Sequence, residues 1–372
     1  MELYAAQSGA PSRRLTLMLA GAAALALWLS GCTGAGPVST GGPSASPGAA
    51  GAALRLNAAG ATFPFPLYSK WFDAYHKKTG VQVNYQSIGS GGGIQQLKKQ
   101  TVDFGASDAP MSDEELSEMP SPVEHLPTVA GAVVVAYNLP NVPTGLKLTQ
   151  EAVAGIFLGR IKRWNDPAIA GPNRGVSLPN TPIVVAHRSD GSGTSYVFTN
   201  YLAAVSPEWK AKVGAGKSVD WPVGLGGKGN EGVTGLITST EGAVGYVELA
   251  YAHSSDLAVA SIRNLAGQFI APTVPAVTAA ARGAAGEMEK DIRAPILNSP
   301  DPEAYPIASF TYLLVYRRMP DAKRAQAVLD LLHWCNTEGQ KLAAALDYAP
   351  LPDAVVKLNE ATLERLRSAN PA

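Results

Sequence analysis

Beyond Leu54 the sequence repeats one order of segments: a short apolar run, a corner rich in glycine, serine or threonine, and an amphipathic helix. LRLNAAG (54–60) alternates as a strand and ATFP turns the chain. PLYSKWFDAYHKKTG (66–80) then places Leu67, Trp71 and Tyr75 at helical spacing, with Gly80 as the stop. VQVNYQSI is a second strand, GSGGG (89–93) breaks the chain, and IQQLKKQ resumes as a helix; TVDFGASD is a third strand ending on Asp108. Past the midpoint TPIVVAH, RSDGSG and TSYVFTNYLAA give strand, corner and helix again. Such alternation predicts an α/β architecture with a mostly parallel sheet. In open sheets of this kind ligands collect beyond the carboxyl ends of the strands, where Thr62, Ser90, Asp108 and the segment Arg188 to Thr194 all lie.

At 372 residues the chain has room for two core-bearing domains. Its 30 basic and 30 acidic residues cancel. No broad basic field points to nucleic acid, so any anion site must be local. GAVVVAYNLP (131–140) and ASFTYLLVYRR (308–318) are long apolar strands that bracket the middle third, which predicts two lobes joined by two crossovers. The expected division is 54–132 plus 308–372 for the first lobe and 133–307 for the second. Ahead of them, Arg13 and Arg14 precede LTLMLAGAAALALWLS, an apolar run too short to favour a permanent span. The run ends in LSGC (29–32), which resembles the lipobox of bacterial lipoprotein signal peptides. Residues 1–31 then read as a signal peptide, Cys32 as the lipidated first residue of the mature chain, and 32–53, almost entirely Gly, Ala, Ser, Pro and Thr, as a flexible tether. Cys335, in VLDLLHWCN, reads as a buried, unpaired hydrophobe.

The corner RSDGSGTS (188–195) admits three readings: a phosphate cradle, a nucleophile's loop, or an ordinary turn. Backbone N–H groups of a glycine-rich turn opening a helix converge on an anion, and the helix dipole favours negative charge. Ser192 and Thr194 add hydroxyls, Arg188 offers a planar fork, and Asp190 is placed to hold it. A plain N-cap would also account for Asp190 or Ser192. Ser90 lies in a similar glycine-rich corner. Thr62 is expected to cap the first helix, with the Phe63 N–H turned toward a ligand and the Phe63 ring packed in the core. Asp108 discriminates, because a carboxylate facing an anion is unfavourable unless the anion has a proton to donate. Phosphate has one near neutral pH and sulfate has none. GLGGKG (224–229) satisfies G-x-G-x-x-G but follows VDWPV, not a convincing strand of a dinucleotide unit. The five histidines lack metal-ligand spacing. His187 with Ser192 leaves a hydrolase reading open, although Ser192 lies in G-S-G and not in a nucleophile elbow.

Taken in order, AGATFPFPLYSKW (59–71), NYQSIGSGGG (84–93), VDFGASDAPMSDEEL (102–116), RSDGSGTSYVFTNYLA (188–203), WPVGLGGKGNEGV (221–233) and GAVGYVELAYA (242–252) resemble the phosphate-binding subunit of bacterial phosphate ABC importers, the PstS family. The resemblance spans nearly the whole mature chain. It implies a two-lobed periplasmic-binding-protein fold of the type II, Venus-flytrap kind, with two mixed sheets, flanking helices and a two-strand hinge. By position it implies phosphate contacts from Thr62, Phe63, Ser90 and Asp108 in the first lobe and from Arg188, Ser192, Gly193 and Thr194 in the second, with Asp190 supporting Arg188. Where some relatives carry a second serine this chain has Gly91, which offers no side-chain contact; His187 stands where some have another arginine. The resemblance further implies inorganic phosphate as ligand, a permease as partner, no cofactor, no covalent chemistry, a monomer, and an address on the outer face of the cytoplasmic membrane.

Overall fold

The computed structural model describes residues 54–371. The expected signal peptide, lipidated Cys32 and tether therefore lie outside the described residues. The described residues fall in one compact unit. Its main strands are β1 (Arg55–Gly60), β2 (Gln82–Ser87), β3 (Phe104–Ser107), β4 (Val123–Tyr137), β5 (Val184–Arg188), β6 (Leu225–Gly227), β7 (Ala243–Glu248), β8 (Ala258–Val259) and β9 (Ala308–Tyr316). The helices that matter to the site and its packing are α1 (Phe65–Thr79), α2 (Ser90–Lys98), α3 (Gln150–Phe157), α4 (Gly193–Val205), α5 (Gly229–Ser239), α6 (Leu249–Ser254) and α7 (Ala322–Asn336).

The strands run in the order β2-β1-β3-β9-β4-β7-β5-β6, with β8 also on β4. β1 is parallel to β2 and β3, and β5 is parallel to β6 and β7. Two parallel halves thus meet at an antiparallel centre. β4 belongs to both: Val123 to Ala132 pair with β9, and Val133 to Tyr137 pair with β7. The handover falls between Ala132, opposite Ala308, and Val133, opposite Glu248.

β4 begins eight residues before the Gly131 at which the apolar run suggested a strand. Pro127 hides the earlier part, since it has no N–H for a ladder. The fold accommodates it with a bulge: Tyr312 pairs with Pro127 and Thr311 with Val129, so Thr128 is the extra residue. Thr128 is held by its hydroxyl, 3.1 Å from the Thr311 carbonyl and 2.8 Å from the Tyr68 hydroxyl.

The GSGGG segment differs from expectation too. It does not break the chain ahead of a helix; Ser90 is already the first residue of α2, and Gly89, at φ +86°, is its N-cap. A Cβ on Gly93 would lie 2.5 Å from the Gly60 Cα and 2.7 Å from the Ala59 carbonyl oxygen, so glycine lets α2 rest directly on β1 and β3. Each half has an aromatic core. Tyr68, Trp71, Phe72, Tyr85 and Phe104 pack in one, with Trp334 of α7 against Trp71. Phe157 of α3, Phe198 of α4, Trp221 and Tyr246 of β7 pack in the other. Each of these rings that is fully buried, such as Tyr68, Trp71, Phe157 and Tyr246, contributes about 1.5–3 kcal/mol of transfer energy. Cys335 is buried and has no disulfide partner among the described residues.

Candidate functional site

Four strand-to-helix corners meet where the two halves face one another. Thr62 follows β1, Ser90 opens α2, Asp108 follows β3, and Arg188 to Thr194 link β5 to α4. Thr62, Ser90, Asp108, Arg188, Ser192 and Thr194 are buried, Ser90, Ser192 and Thr194 completely. The halves touch here: the Gly91 N–H donates 2.8 Å to the Gly191 carbonyl, and a Cβ on Gly193 would stand 2.5 Å from Asp108 Oδ2 and 2.4 Å from Ser90 Oγ. Only glycine at 193 lets the first turn of α4, with its unsatisfied N–H groups, approach the carboxylate.

Arg188 is gripped by Asp190 through two bonds, Nε to Oδ1 at 2.8 Å and Nη2 to Oδ2 at 2.6 Å, and its Nη1 reaches Thr194 Oγ1 at 3.3 Å. Asp190 Oδ1 also accepts the Gly229 N–H at 3.0 Å. Burial alone would raise the Asp190 pKa, but the Arg188 guanidinium outweighs it and holds the carboxyl below its ordinary value. Asp108 is different. Desolvation pushes it up to about 7, even though the Thr311 hydroxyl, the Arg188 charge and Ser90 pull the other way. Thr311 Oγ1 donates to Asp108 Oδ1 at 2.8 Å, and the Asp108 N–H donates to Ser90 Oγ at 3.2 Å. The antiparallel register of β9 on β3, with Tyr312 opposite Ser107, places this threonine beside Asp108.

Thr62 does not cap α1. The cap position belongs to Pro64, which makes no side-chain bond, and Thr62 Oγ1 instead accepts from Asn230 across the cleft, at 2.7 Å from Nδ2 and 3.2 Å from the backbone N–H. Tyr251 of α6 donates to the Thr62 carbonyl at 2.6 Å. The Phe63 ring is buried edge-on to Tyr348, at a centroid distance of 6.2 Å, and its carbonyl accepts the Tyr348 hydroxyl at 2.7 Å. Ser192 Oγ caps α4 by accepting the Ser195 N–H at 3.0 Å, leaving its own hydrogen free to donate. His187 stacks on Trp221 at 4.9 Å, and its Nδ1 donates to the Arg188 carbonyl at 3.0 Å, an arrangement that serves packing and does not engage Ser192.

Residue-by-residue reading missed Asn230, Thr311 and Tyr251. The GLGGKG stretch was the available signal for the first of these. It does contain a strand, β6, and delivers Gly229 and Asn230 at the start of α5, as a further corner of the same type. Thr311 carried no local signal, because its place beside Asp108, 203 residues away in the chain, depends on the pairing of β9 with β3.

A family model described as a PBP superfamily domain matches residues 45–334. A protein named phosphate-binding protein PstS from Pasteurella multocida is 46% identical over 306 residues, covering 82% of this chain and 88% of its own length. The protein of that name from Methanocaldococcus jannaschii is 38% identical over 330 residues, covering 82% and 84%. A solved structure of a high affinity periplasmic phosphate-binding protein with phosphate bound shares the fold, with a TM-score of 0.66 at 23% identity over 83% of this chain and 93% of that one. The chain belongs to the PstS family of phosphate-binding proteins and has the two-lobed fold of the PBP superfamily.

Proposed function

We propose that this protein captures inorganic phosphate between its lobes outside the cytoplasm and delivers it to the permease of an ABC importer. The lobes are taken as 54–132 with 308–372, and 133–307, the first division point coinciding with the handover of β4. The observation that carries the reading is the pairing, in one buried cleft, of the Arg188 fork with an array of donors and a single acceptor, Asp108.

An anion entering this cleft exchanges its hydration for fixed donors. Arg188 has N–H groups beyond those held by Asp190 and Thr194. The N–H groups of Phe63, Gly193 and Thr194 and the hydroxyls of Thr62, Ser90, Ser192 and Thr194 supply the rest. Asp108, when ionised, can only accept, so one ligand oxygen must carry a proton. Contacts from both lobes make the closed form the better binder, so ligand draws the equilibrium toward closure. Nothing in this sequence requires a covalent step or a cofactor, and one copy supplies every contact.

Calorimetric titration checks the reading. Phosphate should bind tightly and sulfate should not compete; Asp108→Asn should narrow the gap by at least tenfold, since the amide can donate to an unprotonated oxygen. Equal affinity of the parent protein for both anions would end the proposal. The LSGC motif supports a lipid anchor at Cys32 on the outer face of the cytoplasmic membrane. Metabolic labelling with a fatty acid should mark the protein, and Cys32→Ser should abolish the label.

A further inference from the structure

Asn230 is fully buried at the start of α5 and touches both lobes, yet its amide has no place among the ligand contacts argued above. The backbone N–H of Glu248 lies 2.9 Å from Asn230 Oδ1. A backbone N–H can only donate, so this atom must be the amide oxygen, and the two ends of the side chain cannot be exchanged. Nδ2 therefore faces the two threonines, with one hydrogen for Thr62 Oγ1 at 2.7 Å and one for Thr194 Oγ1 at 3.2 Å. Each hydroxyl oxygen has a second donor. Thr62 Oγ1 also accepts the Asn230 backbone N–H at 3.2 Å, and Thr194 Oγ1 accepts Arg188 Nη1 at 3.3 Å.

A hydroxyl has two lone pairs and one hydrogen. With both lone pairs occupied, the remaining direction on each oxygen belongs to its hydrogen, and neither hydroxyl donates to any group among the described residues. We infer that Asn230 is a positioning residue that compels the Thr62 and Thr194 hydroxyls to act as donors toward the cleft. The inference rests on the anion-binding reading and deepens it. Without the amide, either hydroxyl can rotate and present a lone pair to the ligand, which an anion opposes. The consequence for recognition is directional. Ligand oxygens beside these two threonines must be free of protons, so the ligand's proton is confined to the Asp108 side. Thr62 lies in one lobe while Asn230 and Thr194 lie in the other, so the donor orientation of Thr62 is completed only on closure.

The test is a double-mutant cycle on phosphate affinity in the full-length protein, with calorimetry as readout. Asn230→Ala should weaken binding about tenfold in the parent protein. In the Thr62→Val/Thr194→Val background, where no hydroxyl remains to be oriented, the same change should cost less than about twofold. Equal losses in both backgrounds would overturn the role of Asn230 while leaving phosphate binding intact; no phosphate binding by the parent protein overturns both readings. Neutron diffraction of the unmutated phosphate complex in D2O decides the matter without any variant. Deuterons on both threonine oxygens directed at phosphate oxygens support the inference, and a threonine deuteron directed at Asn230 sinks it.

Discussion

At Asp108 two requirements conflict. The carboxyl must be ionised to accept a ligand proton, yet its burial against Gly193 and Thr311 penalises the charge, which raises its pKa to about 7. In the ligand-free protein the folded value lies above the unfolded one, so the folded state binds more protons between roughly pH 4 and pH 7. Stability from this group therefore falls as pH rises through that window and is level above it. Asp108→Asn should be more stable than the parent protein at pH 8, by on the order of a few kcal/mol, and so unfold at a higher temperature, with the gap closing toward pH 4. Thermal scans of ligand-free protein at both pH values check this; a constant gap would mean that the carboxyl is not desolvated. The acidic strand end was legible in the sequence because a carboxylate there is chemically conspicuous. The direction of Thr62 was not, since a threonine after a strand can cap, donate or accept, and only Asn230, from a distant segment, selects among these.

Elements were legible where periodicity and punctuation agree. α1 starts one residue before the expected Pro66 and ends against Gly80, whose φ of +76° accounts for the stop. The glycine-rich corner after β2 was placed correctly but misread locally, because isolated glycines signal a turn while here they allow close packing. Gly93 shows the difference: it is helical, and what excludes a side chain is the backbone of Gly60 and Ala59 beneath it. Gly93→Ala should improve helix propensity by up to about 1 kcal/mol and still destabilise the protein by roughly 2 kcal/mol or more, because the opposing atoms are backbone and cannot rotate away. Chemical denaturation measures the net sign; a stabilised variant would show that α2 can lift off β1 freely. The same displacement would shift Ser90 and weaken phosphate binding.

Across the whole molecule, polar contacts join the two proposed lobes at the rim of the candidate cleft as well as inside it. Arg293 Nη1 reaches the Met111 carbonyl at 3.1 Å and Asp113 Oδ1 at 2.7 Å, and Lys217 pairs with Glu115. Both acids belong to one short helix, Asp113–Ser117, fixed by a capping box between Ser112 and Glu115. These cations are about a quarter exposed, 26% and 22%, so each pair is worth at most about 1 kcal/mol. Replacing Lys217 and Arg293 together by alanine should speed phosphate release several-fold in stopped-flow measurements, with a smaller effect in high salt, where the parent protein has already lost part of the attraction. Small-angle scattering should record a contraction of the parent protein on adding phosphate. No salt dependence of release would exclude a latch.

By itself the sequence determined the kind of fold, the strand-end location of the candidate site and which of its residues are charged, because hydrophobic period, glycine punctuation and ionisable groups are local properties of the chain. Tertiary structure alone decided how β9 pairs with β3 to set Thr311 beside Asp108, and how Asn230 reaches Thr62, 168 residues away. Such contacts join residues whose separation along the chain carries no trace of their proximity. A hydroxyl's direction follows from which partners surround it, and folding is what assembles those partners.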